Sequence, residues 1–287
     1  MDQASKNYYL EKIQKGGYHI YTTLDMDVQN QVDAIYTNLN NIPTTKSAQQ
    51  LQSGIVVINN ATGDIVALAG GVGEKTDFFA YNKATQAFEK GGLSPATVIP
   101  DLPLTYDGGA WPKNDSRVYN YSRTIFQGIV SSINAISANT LSRIGADTGF
   151  SFAKYNFRQN YLVDSYVSSN GTPMSDIAIA PLALGALTIG STVREVTAAY
   201  ATFANNGVIR TARTYTKVYD SDGKIVLDNQ QESQQILSEK AVNYMNYCLY
   251  NAANNGTGTV AVFPGQNIAG KTGTTSSNRD RWFAGYT

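Results

Sequence analysis

Gln266-Asn267-Ile268-Ala269-Gly270-Lys271-Thr272-Gly273-Thr274-Thr275 is the stretch that decides how the rest of this chain is read. Its apolar start and alternating hydroxyls predict a strand. Thr272 and Thr274 then share one face, because successive strand side chains point to opposite sides. Lys271 offers a cation for a carboxylate or for handling a proton. Gly273 lets a ligand backbone come close, and a backbone N–H at this point can stabilise an oxyanion. These properties suit an edge strand facing a cleft. An ordinary strand carrying a lysine and threonines would have the same letters, so the surrounding sequence must decide.

Downstream, a polar turn over 276–280 leads to a second strand, Arg281 to Thr287. Upstream, Gly54 to Asn59 and Asp64 to Ala69 read as a hairpin turning at Asn60-Ala61-Thr62-Gly63. Thr214 to Val226 reads as another, turning at Asp222-Gly223. Apolar spacing and cap residues predict helices over Asp25–Leu39, Ser122–Ile144, Val193–Asn205 and Ser238–Asn254. Asn205-Asn206-Gly207 reads as a helix C-cap. The strands lie towards both chain ends and the helices in the middle. This order predicts an α+β fold: an antiparallel sheet built from both chain ends beside a mostly helical lobe, with a site at the sheet edge. Residues 1–52 read as a linker and N-terminal helix leading into one domain, 53–287.

Composition narrows the function. The chain has 287 residues, 42% of them hydrophobic, enough to bury a sizeable core. Its 22 basic and 22 acidic residues balance, so a nucleic-acid partner is not expected. The single cysteine, Cys248, excludes an internal disulfide and a cysteine-based metal site. The single histidine, His19, sits in a strand-like run and reads as a surface or packed residue rather than as part of a triad. No metal or cofactor is expected. The longest apolar run, Ile177 to Gly190, is interrupted by Pro181 and too short to span a bilayer.

Ser132-Ile133-Asn134 is the second chemical signal. At a helix entry it places a hydroxyl and an amide on one side of a turn, one able to relay a proton and the other to bind a carbonyl. The plain alternative is a helix N-cap serine.

The order of the remaining stretches carries a family resemblance. They are Gly16-Gly17-Tyr18 through Tyr21-Thr22-Thr23-Leu24-Asp25, Thr62-Gly63-Asp64 with Gly70-Gly71, and Tyr81-Asn82-Lys83-Ala84-Thr85. Pro95-Ala96-Thr97-Val98, Pro103 through Gly109, Gly256-Thr257-Gly258 and Asp280-Arg281-Trp282 follow. Together with the K-T-G and S-x-N motifs, whose third member is S-x-x-K, the chain resembles the transpeptidase domain of class A penicillin-binding proteins. The resemblance implies a β-lactamase/transpeptidase-like fold. It also implies a D,D-transpeptidase that cross-links peptidoglycan stem peptides ending in D-Ala-D-Ala through an acyl-serine, with β-lactams as inhibitors. Ser132, Asn134 and Lys271 would be catalytic. Thr272, Gly273, Thr274 and Thr275 would bind substrate, and the Thr274 N–H would form half of an oxyanion hole. An upstream glycosyltransferase domain, a membrane anchor and a place on the outer face of the bacterial cytoplasmic membrane are implied for the parent protein, of which this chain would be a soluble fragment.

The first motif does not fit. In the family the S-x-x-K helix lies between segments resembling Tyr81–Ala87 and Phe88–Val98, and here those segments run together at 87/88. By comparison about 15–20 residues are absent, one helix's worth, and the C-terminus stops short as well. Ser221-Asp222-Gly223-Lys224 is read as the only literal S-x-x-K elsewhere and sits on a hairpin turn, and no other Ser or Thr is expected to have a Lys at the right spacing in a helical setting. Without its nucleophile the chain is expected to be inactive and not acylated. The alternatives are a non-catalytic module that binds peptidoglycan peptides and a β-lactamase-like serine hydrolase.

Overall fold

A computed structural model of the protein describes residues 3–41, 43, 51–70, 84–274 and 281–287. The chain divides into two compact units: Met1–Lys75 with Arg210–Ser233, and Thr76–Ile209 with Gln234–Thr287.

In the first unit His19–Thr22, Tyr215–Tyr219 and Ile225–Asp228 form a three-stranded antiparallel sheet. The predicted hairpin is present as Ile55–Ile58 paired with Ile65–Ala69. The helix Met26–Thr37 starts at Asp25, whose carboxylate accepts from the Asp27 and Val28 N–H groups, which helix entries leave unpaired. Gln29 fastens this helix to the hairpin through both amide atoms, giving and taking a bond at the Leu68 backbone. The Thr23 hydroxyl bridges the Ile65 and Arg213 carbonyls, and Arg213 pairs with Asp64. His19 is an exposed strand residue opposite Tyr219.

The second unit is organised around the helix Glu239–Asn254. Its apolar residues recur at helical spacing and vanish from solvent: Met245, Cys248, Leu249 and Ala252 are all 0% exposed. Ser238 caps it by accepting from the Ala241 N–H. Around it pack the helices Ile125–Val130 and Val193–Ala204 and the strand pair Ala269–Thr274 and Arg281–Tyr286. The helix Asn134–Ile144 lies between two cores, with Ile136 in the larger one and Ala138 and Leu141 in a second with Phe150, Leu162 and Leu182. Burying both faces fixes its rotation and so aims its first turn.

The α+β class and the antiparallel pairing agree with the sequence. Among the described residues the hairpins near the two chain ends are each a two-stranded ladder of their own. The stretch Ser122–Ile144, read as one helix, is three elements: a strand Tyr121–Thr124, a helix Ile125–Val130 and, after a break, the helix Asn134–Ile144. The Ala87–Phe88 junction lies inside one helix, Ala84–Glu89, with both residues buried.

Candidate active site

The break within 122–144 builds one wall of the site. Thr124 and Gln127 form a capping box that starts the helix Ile125–Val130. At its end the Ser132 N–H donates to the Ile129 carbonyl and the Ile133 N–H to the Gly128 carbonyl. This is a Schellman motif, in which the residue after the C-cap turns left-handed and is usually glycine. Here that residue is Ser132, at φ +54°. The chain therefore holds a hydroxyl-bearing residue where glycine would be easier, and its side chain stands exposed.

Asn134 follows as the first residue of the next helix. That helix has no side-chain cap of its own at Ile133, so Ser132 is not an N-cap there. Asn114 supplies the missing acceptor, its Oδ1 taking the Ala135 N–H at 3.0 Å. The amide nitrogen of Asn114 donates in turn to the buried Asp101 carboxylate at 2.7 Å, which also accepts from the Asn120 backbone at 2.9 Å. One amide hydrogen of Asn134 goes to the Lys113 carbonyl, which leaves a second for a ligand.

The strand Ala269–Thr274 is the opposite wall, paired so that Lys271 faces Ala284 and Thr272 faces Phe283. Asn254 at the end of the long helix donates to the Ile268 carbonyl and fixes the strand's start. A β-carbon on Gly270 would lie 2.5 Å from the Phe283 ring, so the strands close only over glycine. Lys271 Nζ donates to Ser132 Oγ at 2.9 Å, to the Thr272 carbonyl at 2.9 Å and to Thr257 Oγ1 at 3.4 Å. Thr257 Oγ1 also shares a 2.7 Å hydrogen bond with Thr272 Oγ1. Among the described residues its acceptors are all neutral. Burial pulls the Lys271 pKa down to about 8, because a cation loses hydration there.

Between the walls is a cavity of about 150 Å³. Ser132, Asn134, Lys271, Thr272, Gly273 and Thr274 line its polar side, and Ile125, Ile129, Ile136, Ala183 and Tyr200 its apolar side. No carboxylate is among these residues. The expected convergence of Ser132, Asn134 and Lys271 on one crevice is therefore observed. Among the described residues there is no cluster of metal-ligating side chains.

The family described as "Penicillin binding protein transpeptidase domain" matches residues 82–287, most of the chain and all of this site. The chain belongs to that family. Among its relatives, Penicillin-binding protein 4 of Bacillus subtilis (strain 168) is 32% identical over 293 residues, covering 96% of this chain and 43% of the relative. Penicillin-binding protein 1A of Clostridium novyi (strain NT) is 29% identical over 318 residues, covering 98% of this chain and 36% of the relative. The chain thus spans less than half the length of these curated relatives. Both alignments are longer than its 287 residues, so the relatives carry residues with no counterpart here. Its fold is similar to the D,D-transpeptidase domain of a peptidoglycan glycosyltransferase from Eggerthella lenta, with TM-score 0.68, 18% identity, and 98% of this chain and 78% of that one covered. It is also similar to PonA1 of Mycobacterium tuberculosis in complex with penicillin V, with TM-score 0.71, 20% identity and coverage of 100% and 77%. No described helix is long and apolar enough to cross a membrane.

One sequence expectation changes at this site. Ser151-Phe152-Ala153-Lys154 is a second S-x-x-K tetrad, contrary to the expectation of none in a helix. Ser151 ends a short helix and Lys154 lies in the π-helical turn Phe152–Asn156. Lys154 donates to the Leu162 carbonyl and neither residue lines the cavity. Ser221–Lys224 is a hairpin turn, as expected, with Gly223 at φ +78°. Thr275 lies outside the described residues. Thr257 and Asn114 were missed as site-building residues. The Gly256-Thr257-Gly258 pattern held a signal: a β-carbon on Gly256 would sit 2.3 Å from the Val130 carbonyl, so glycine brings this turn against the Ser132 wall.

Proposed function

We propose that the crevice binds the carboxyl end of a peptidoglycan stem peptide, D-Ala-D-Ala, and β-lactams in the same place. A single observation carries this reading: Lys271, a half-buried cation answered among the described residues only by neutral oxygens, opens onto a cavity whose described lining holds no carboxylate. Such a cation is stabilised by an anionic ligand. Thr272 and Thr274 offer hydroxyls from the same strand, and the spare Asn134 amide hydrogen suits a ligand carbonyl. Thr275 keeps its expected place in substrate binding from the family resemblance alone. Family membership supplies the reaction class, D,D-transpeptidation through an acyl-serine. The resemblance to class A penicillin-binding proteins suggests the setting: a parent protein with a glycosyltransferase domain at the outer face of the bacterial cytoplasmic membrane.

This chain keeps the recognition half of that chemistry. Its two S-x-x-K tetrads lie outside the cavity, and its relatives carry residues it lacks. Cross-linking of stem peptides is therefore not expected, because removing a nucleophile costs about 10⁶ in rate even when the rest of a site is intact. The test is calorimetry with an acylated Lys-D-Ala-D-Ala peptide and its C-terminal amide. The free acid should bind at least about tenfold more tightly than the amide, and Lys271→Ala should erase that preference. Equal binding of acid and amide by the unmodified protein would overturn the reading.

A further inference from the structure

We propose that Ser132 is itself an acyl acceptor in this chain, forming with Lys271 a serine–lysine dyad that a β-lactam acylates. The proposal rests on the reading that the crevice binds β-lactams, and adds to it a nucleophile and a covalent product.

Two independent features of the structure lead here. The first is local backbone strain. Ser132 occupies the left-handed position of a Schellman motif at φ +54°, where glycine would fit at lower cost. Strain kept at an exposed hydroxyl that lines a cavity points to use of that hydroxyl. The second is the partner. Lys271 Nζ stands 2.9 Å from Ser132 Oγ, within the reach a general base needs. Burial brings its pKa to about 8, so a substantial neutral fraction, with a free lone pair, exists in mildly alkaline solution. Apart from Lys271, the only titratable side chain lining the cavity among the described residues is Tyr200, on the helix Val193–Ala204. The helices carrying Ile125, Asn134 and Ala183 contribute no charged group to it, so among the described residues no carboxylate lining the cavity holds the lysine in its protonated form.

The step balances without a co-reactant. The Ser132 hydroxyl proton passes to neutral Lys271 Nζ as the Oγ–acyl bond forms at the lactam carbonyl. The lactam C–N bond breaks, and its nitrogen takes the proton from Lys271. The sum is addition of the serine O–H across the strained amide, with nothing oxidised or reduced. Ring strain is what allows a site of this kind to react. An unstrained stem peptide has no such driving force, so single acylation is compatible with the absence of cross-linking.

The experiment is incubation of the unmodified protein with benzylpenicillin from pH 6 to 10, followed by intact mass, mapping of the modified peptide, and calorimetry of the same mixture at short times. The expected result is one added drug mass, mapped to Ser132. The rate should rise about tenfold per pH unit below the lysine's pKa and level off above about 8. Ser132→Ala should give no adduct, and Lys271→Arg, which keeps the cation but not the base, should lose the pH dependence along with the rate. An adduct on any other residue overturns the proposal. Binding seen by calorimetry with no adduct at any pH also overturns it, while leaving the crevice reading intact. Neither binding nor adduct overturns both.

Discussion

Replacing Ser132 by glycine and by alanine separates the backbone of this site from its chemistry. Both substitutions remove the hydroxyl and its 2.9 Å bond to Lys271, so that loss cancels when the two variants are compared. The backbone effect remains. At φ +54° a residue with a β-carbon pays about 1–2 kcal/mol to be left-handed. Glycine avoids that cost but gives back about 0.5–1 kcal/mol through its freedom in the unfolded chain. Ser132→Gly should therefore be about 0.5–1 kcal/mol more stable than Ser132→Ala, or about 2 °C in melting temperature for a chain of this size. Urea denaturation of the two variants, at equal slope, measures the difference. Both should have lost any covalent reaction with β-lactams. If alanine is as stable as glycine, the left-handed strain is absent and the argument that a hydroxyl is held there for use fails.

Two further predictions concern the cation and its support. Lys271→Met should stabilise the protein at pH 7 while removing its preference for free-acid peptides. A drop in pKa from 10.5 to about 8 corresponds to at most about 3 kcal/mol, less after allowance for solvent in the crevice. The sign follows from proton linkage. With the folded pKa lowered, the unfolded chain binds more protons between about pH 8 and 10.5, so the parent gains stability over that window. The methionine variant's advantage should be full at pH 7 and gone above about pH 10.5, as urea midpoints across this range would show. Asn114→Leu strips partners from the buried Asp101 carboxylate and the Ala135 N–H. At about 1–3 kcal/mol for each unsatisfied buried group, it should lower the urea midpoint clearly and weaken the acid-over-amide preference measured by calorimetry.

The sequence made part of this site readable because short motifs sit on regular elements. Lys271, Thr272 and Thr274 follow from a strand pattern, and Ser132 and Asn134 from their spacing. The turn that joins them was not readable. Nothing between Ser122 and Ile144 announces a break, since the left-handed residue is a serine rather than the glycine that normally marks a helix end. Gln127, helical in character, becomes part of a capping box only because Thr124 ends a strand paired with Val98, a contact set by tertiary structure. Thr257 escaped because its role depends on distant partners, Thr272 and Lys271, brought close by the end of the long helix. Ser151–Lys154 shows the opposite hazard: a literal motif whose lysine is spent on the Leu162 carbonyl. The division into two units was hidden because Arg210–Ser233 joins the first unit from the middle of the second, and such long-range pairing leaves no local mark.

A crystal structure of the protein soaked with a free-acid stem-peptide analogue tests the central claim most directly. The ligand carboxylate should lie within hydrogen-bonding distance of Lys271 and the Thr272 and Thr274 hydroxyls, with its amide carbonyl near Asn134. Density for the ligand on another surface, or a carboxylate turned away from Lys271, would contradict the account.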